Sequence, residues 1–293
     1  MARLVSPLAA TALFFFLSIS LFGQTGYWVK QNLSNGIPTL RDIDMLDEDF
    51  GIAVGASDIP VGNPGYSGVA WTTNGGNTWL LMESVSPRFT PELPDYTSWN
   101  AVHIVDSRTA WIVGDSAMIY KTGDGGLTWT QQIAPWDTMQ YVARPTLYDV
   151  HMIDGMRGIA VGGDNISTGP GGEFHPPQIY RTFDGGRQWI DTSPTLSQIN
   201  NNTGALRCVD YVSGTFLFGG EFGNLIMDQG TGYQVIEPIS PPALNFIHWW
   251  DVDIKSPTEF FMVGTQWLNN TPAAYRTIRQ GTRFASMVPG NIV

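Results

Sequence analysis

The chain has 293 residues, enough for one large domain or two small ones. Its 33 Gly, 19 Pro and 11 Trp, with only 14% charged residues, exclude a helical bundle and suit an all-β protein of short strands and tight turns. The formal charge of −11, with no cluster of Lys and Arg to offset it, argues against nucleic acid and anionic membrane surfaces as partners.

Arg3 precedes an apolar run, Leu8–Phe22, that is too short for a comfortable membrane span, and Gly23 and Gln24 follow. Residues 1–23 therefore read as a secretory signal, with a retained anchor as the alternative. The mature part, 24–293, is expected outside the cytoplasm, secreted or periplasmic, with no stable membrane insertion once the signal is removed. Tyr27–Gln31 (YWVKQ) resembles the strand openings TWTQQ at Thr128 and QWIDT at Gln188.

A repeat follows. Three units run from an apolar alternating strand, through a second strand ending in Val-Gly, to a third strand and the box [ST]-x-[DN]-x-G-x-x-W. The boxes are TTNGGNTW (Thr72–Trp79), TGDGGLTW (Thr122–Trp129) and TFDGGRQW (Thr182–Trp189). Two degenerate units follow, with Tyr233 and Phe284 where Trp stands in the others. The units cover about 40–82, 99–132, 147–192, 206–236 and 249–287, a spacing of roughly 50 residues that fits four strands and their loops. Units that cannot bury both faces alone predict an all-β propeller of four-stranded antiparallel blades. A β-sandwich leaves the period unexplained.

Each box residue has a structural task in the turn between the third and fourth strands. Asn74, Asp124 and Asp184 accept backbone N–H groups of the turn, as Asx turns do, and the hydroxyls of Thr72, Thr122 and Thr182 add another bond. Gly76, Gly126 and Gly186 supply a positive φ. Trp79, Trp129 and Trp189 open the outer strand and pack between blades. A carboxylate engaged by its own turn is a poor general acid, so these Asp residues are expected to be structural.

These residues carry a resemblance. The motif looks like the Asp-box, or bacterial neuraminidase repeat, of sialidases, sortilin-type receptors and xyloglucan-cleaving glycosidases. In its I/A-Y/W-x-T-x-D-G-G-x-x-W form it is most similar to the photosystem II assembly and stability factor propellers. The resemblance spans about Tyr27 to Phe284 and implies the fold; such propellers host unrelated functions. The photosystem-linked members carry a basic, arginine-bearing partner surface, from which this acidic, arginine-poor chain departs. The Arg-Ile-Pro segment of sialidases is absent as well, and Arg88, Arg108 and Arg144 fall in no recognisable frame.

Propeller geometry places the boxes on one face and the long loops on the other. Phe89, Tyr96, Trp136, Tyr141, Phe174, His175 and Trp267 fall on the long-loop face and are the candidate binding residues for a peptide or glycan. The alternative is that these rings pin loops to the propeller. Asp44, His103, His151, Asp210 and Asp253 form a column on the innermost strands. It recurs once per unit, so it is expected to be architectural and satisfied within each blade. No metal, cofactor or catalytic residue is assigned. Cys208, in an apolar run, is expected as a buried small hydrophobe.

The fifth unit has its own fourth strand at Arg283–Met287, which leaves Tyr27–Gln31 without partners; the expectation is a fragment of a six- or seven-bladed ring, against a complete five-bladed one. The expected function is that of an exported, non-catalytic propeller binding a protein or glycan. The alternatives are a secreted glycoside hydrolase of sialidase or xyloglucanase type and a photosystem II assembly factor-like role for a membrane complex.

Overall fold

The computed structural model describes residues 39–56, 66–83, 88–90, 98–135, 144–164, 175–199, 204–236, 247–268, 271–280 and 283–287. The chain divides into two compact units, Met1–Gln31 and Asn32–Val293, and every described residue belongs to the second. The proposed signal and Tyr27–Gln31 lie outside the described residues.

Five sheets succeed one another along the chain, each built on four strands in simple antiparallel order, the second with a short fifth strand added. Sheet 1 is β1 (Thr39–Met45), β2 (Phe50–Ala56), β3 (Tyr66–Thr73) and β4 (Leu80–Glu83). A two-residue strand, β5 (Phe89–Thr90), then joins the outer edge of sheet 2 in parallel with β9. Sheet 2 itself is β6 (Trp99–Ile104), β7 (Ala110–Gly114), β8 (Ile119–Thr122) and β9 (Trp129–Gln132). Sheet 3 is β10 (Thr146–Met152), β11 (Gly158–Asp164), β12 (His175–Thr182) and β13 (Ile190–Asp191). Sheet 4 is β14 (Leu206–Val212), β15 (Thr215–Gly220), β16 (Leu225–Asp228) and β17 (Tyr233–Val235). Sheet 5 is β18 (Ile247–Ser256), β19 (Glu259–Leu268), β20 (Thr271–Gln280) and β21 (Arg283–Met287). These are the blades of a β-propeller.

The core is divided among the interfaces. Ile52, Val54, Val69 and Met82 of sheet 1 cluster with Trp99, Val102, Ile112 and Trp129 of sheet 2. Sheets 2 and 3 meet through Trp111, Val113, Leu147, Val150 and Trp189, sheets 3 and 4 through Ile159, Val161, Val209 and Phe218, and sheets 4 and 5 through Leu217, Trp249, Val252 and Phe260. Each middle sheet thus buries one face against its predecessor and the other against its successor, which is how a two-sided apolar strand such as GIAVGGD of β11 is accommodated.

The box turns are built as their residue types dictate. Thr72 Oγ1 accepts the Gly76 N–H at 2.8 Å, and Asn74 Oδ1 accepts the Thr78 N–H at 2.9 Å. Thr122 and Asp124 repeat this with Gly126 and Thr128, both at 2.9 Å, and Thr182 and Asp184 with Gly186 and Gln188. The preceding glycines carry a second function. Gly75, Gly125 and Gly185 also have positive φ, and their N–H groups bond to carbonyls of Asp49, Arg108 and Met156 in the first hairpin turn of the same sheet. The 1–2 and 3–4 turns are therefore tied together on one face of each of these sheets.

The tryptophans pack toward the preceding sheet. Trp129 and Trp189 are buried; Trp79, in the first sheet, is only half-buried. The outer strand opens at Trp129 in sheet 2 but one residue after the Trp in sheets 1 and 3, a one-residue correction to the expected start. Cys208 is a buried free thiol, and burial pushes its pKa well up.

Candidate functional site

The five innermost strands share an irregularity near their first residues. Register shifts fall between Leu40 and Asp42, Trp99 and Ala101, Leu147 and Asp149, Leu206 and Cys208, and Trp249 and Asp251. Each is a β-bulge that leaves one residue unpaired and turns it out of the pleat. The five bulged residues are Arg41, Asn100, Tyr148, Arg207 and Trp250. Together with Asp115 and Thr146 they line one cavity of about 550 Å³ at the mouth of the central axis. The bulges lie at the end of the sheets opposite the 1–2 and box turns, so the mouth opens on the face predicted to carry the long loops.

Two short 3-10 turns shape the rim, Asp115–Ala117 in sheet 2 and Glu221–Gly223 in sheet 4. Ser116 (φ 58°) and Phe222 (φ 52°) hold left-handed backbone there without being glycine, a strain that surrounding structure has to impose. The turns present equivalent acids to the bulged residues of their own sheets. Asn100 donates to Asp115 at 3.4 Å and to the Leu147 carbonyl at 2.7 Å, and Arg41 donates to Asn100. Arg207 donates through Nε to Glu221 Oε1 at 3.0 Å and pairs with it through Nη2. Glu221 Oε2 is buried and has no hydrogen-bond partner among the described residues.

Rings surround this ion pair. The Arg207 guanidinium lies 3.7 Å over Tyr148 and 5.4 Å from Trp250. His248 stacks on Trp250 at 6.0 Å and meets the edge of Phe222 at 5.5 Å. Trp250 and Phe222 are exposed. The mouth thus combines open aromatic faces with planar hydrogen-bonding groups, with Arg207 paired to Glu221 and Arg41 linked to Asp115 through Asn100.

Beneath the mouth lie two layers of polar side chains that hold the sheets together. Asp42 Oδ2 accepts the Val102 N–H at 2.8 Å, and Asp149 Oδ2 accepts the Val209 N–H at 2.7 Å. One layer deeper, Asp44 accepts the Ile104 N–H at 2.6 Å and Asp210 the Ile254 N–H at 2.8 Å. These bonds correct one expectation: the column of Asp44, His103, His151, Asp210 and Asp253 is not satisfied within each blade, because Asp44 and Asp210 reach forward to the next. The rings of His103 and His151 pack at 4.6 Å, and His151 Nδ1 lies 3.4 Å from Asp210. Burial pushes Asp42, Asp210 and Asp251 above the ordinary carboxylate range and Asp149 well above it. Burial, reinforced by the neighbouring His103, brings His151 down to about 3.

The residues proposed from sequence divide three ways. Phe89 is a correction: it is fully buried between Trp99 (6.4 Å) and Tyr120 (5.7 Å), because β5 docks on β9 and drives its ring into the core between sheets 1 and 2. It pins its loop and is not a surface ring. Tyr96, Trp136, Tyr141 and Phe174 lie outside the described residues. The backbones of His175 and Trp267 stand at the mouth end of β12 and β19, opposite Asp164 and Pro272.

Sequence reasoning misses the bulged residues, although the sequence carries their signal. In LRDID, WNAVH, LYDVH, LRCVD and WWDVD two core positions stand three apart, where a regular strand keeps them two apart. The extra residue is the one turned toward the axis.

No protein-family model matches the chain, and no curated protein matches its sequence. Solved structures do match. YCF48 from Cyanidioschyzon merolae superposes with a TM-score of 0.57 at 17% identity, covering 88% of this chain and 74% of that one. The GH74 enzyme of Niastella koreensis superposes with a TM-score of 0.56 at 14% identity, covering 84% of this chain and 38% of the enzyme. At these identities the likeness is one of fold.

Proposed function

We propose that the chain is an exported, non-catalytic propeller that binds a polar, ring-bearing ligand, a glycan or a peptide, at the axial mouth. The observation that supports this is the engagement of five acids among the described residues. Asp42 and Asp149 accept backbone N–H groups of the next sheet, Asp124 and Asp184 hold their turns, and Glu221 is paired with Arg207. Glycoside hydrolysis needs two carboxyl groups about 5–9.5 Å apart and free to act on the scissile bond. The mouth offers instead the faces of Trp250 and Tyr148 beside Arg41, Asn100 and Thr146. Aromatic faces bind apolar ring surfaces, and planar amide and guanidinium groups bind hydroxyls or peptide groups in pairs. Arg207 is neutralised by Glu221, and Arg41 reaches Asp115 only through Asn100. The Asp-box reading of the turns and export through residues 1–23 belong to this proposal. An assembly role on a membrane complex is the same surface used for a protein.

The test is a glycan array, a peptide array and a hydrolysis screen on the protein lacking residues 1–23. Trp250 is exposed, so Trp250→Ala is expected to leave the melting temperature within about 2 °C while weakening binding about tenfold. Turnover abolished by a single Asp or Glu substitution would overturn the non-catalytic reading.

A further inference from the structure

The residues that bury one sheet against the next recur at equivalent positions, and at two rims the large ones among them are exposed. On the innermost strand, Leu40, Trp99, Leu147, Leu206 and Trp249 are equivalent, as are Ile43, Val102, Val150, Val209 and Val252. In sheets 2 to 5 these residues are 0–7% exposed, against the preceding sheet; Leu40 is 45% and Ile43 53% exposed. On the second strand, Val54, Val113 and Val161 face the following sheet at 0% exposure, whereas their equivalent Val263 is 45% exposed.

The polar layer states what is missing. The position after the bulge alternates: Asp42, Ala101, Asp149, Cys208, Asp251. An acid there caps the N–H of its own following residue, at 2.8 Å for Ile43, 2.7 Å for Val150 and 2.9 Å for Val252. Asp42 and Asp149 each use their other oxygen for the next sheet, where a small uncharged residue leaves the equivalent N–H free. Asp251 stands in the same position, and no forward N–H reaches it among the described residues. Sheet 1 is a poor neighbour for it, because Asp42 already caps Ile43 and meets Asp251 as a like charge in a desolvated layer. A second copy presenting its own sheet 1 meets the same objection.

We infer that the seam between sheets 5 and 1 takes one further four-stranded sheet of this repeat, with a small uncharged residue at the Ala101 position and an apolar residue after it. Its free N–H receives Asp251, its apolar innermost face covers Val263, and its second strand covers Leu40 and Ile43. One added sheet keeps acid and neutral residues alternating around the whole ring.

The experiment appends a second copy of residues 98–132, which carries Ala101, after Val293, with Ile43→Cys as a reporter. Cys208 is buried, so maleimide labelling reads position 43. In the 293-residue chain the introduced thiol should label at the rate of a free thiol. In the extended chain labelling should fall at least tenfold and the thermal midpoint should rise. The same extension with Asp in place of its Ala101 copy should lose most of that protection. An unprotected reporter thiol in an extended chain whose circular dichroism shows added strand would overturn the inference. So would an appended unit that stays unfolded, since the seam is argued to template it. A 293-residue chain that is already a dimer by light scattering, with the reporter thiol protected, would assign the seam to a second copy instead.

Discussion

The Val209 N–H donates to the Asp149 carboxylate across 2.7 Å, joining two innermost strands from residues 60 apart in the chain. The other carboxylate oxygen takes the N–H of Val150. One side chain therefore satisfies donors in two sheets, in a layer where burial disfavours its own charge. Asp149→Ala leaves both donors without that partner and should destabilise the fold by about 1–3 kcal/mol. Asp251→Ala should cost less, because Asp251 caps only Val252 among the described residues. Urea midpoints of the two variants, measured side by side, decide it.

The first box supplies its own control for the second. Asn74 accepts the Thr78 N–H through Oδ1 at 2.9 Å, as Asp124 accepts Thr128. The first box thus keeps the acceptor without the charge. Asp124→Asn should stay within about 0.5 kcal/mol of the parent and Asp124→Ala should lose about 1 kcal/mol or more, read from denaturant unfolding.

Sequence reading reached the blades, the box turns and the buried thiol because each rests on local chemistry: period-two strands, an Asx turn, a glycine at positive φ. It stopped where the causes are non-local. Phe89 looks like a loop aromatic in sequence, and only the pairing of β5 with β9 puts it in the core. Asp44 and Asp210 look self-contained until the twist of successive sheets brings a neighbour's N–H within 2.6–2.8 Å. The mouth was legible in principle, through the three-residue spacing of Leu40 and Ile43 and its equivalents. What that spacing cannot give is convergence, since five bulges form one cavity only when the sheets share an axis.

The ion pair at the mouth is asymmetric in burial: the Glu221 side chain is 3% exposed and the Arg207 side chain 22%. Removing the arginine strands the acid. Arg207→Met should therefore destabilise the protein by about 3–5 kcal/mol at neutral pH, more than the loss of stacking on Tyr148 explains. Adding Glu221→Gln to that variant should recover part of the loss, and thermal unfolding of both variants at pH 7 measures it.

Acid should weaken the fold through His151. Its pKa falls on folding from 6.5 to about 3, so its contribution is complete above pH 6.5 and is lost as pH drops toward the folded value. Between pH 7 and pH 5 the loss is about 2 kcal/mol. The raised carboxyls of Asp42, Asp149, Asp210 and Asp251 act in the opposite sense, gaining stability as they take up protons. His103, packed on His151 and also lowered by burial, acts in the same sense, and His151→Asn removes the larger share. Its melting temperature should fall less than the parent's, or rise, between pH 7 and pH 5.

Because each core is shared half and half by adjacent sheets, no blade owns its interior. A gene that duplicates or drops whole units therefore regenerates a familiar contact at every junction but one. The acid–neutral alternation along the axis adds a parity rule: gains and losses in pairs keep every carboxylate beside a receptive backbone, whereas a single step sets two acids, or two neutral residues, side by side. Blade number in such proteins should drift by twos more readily than by ones.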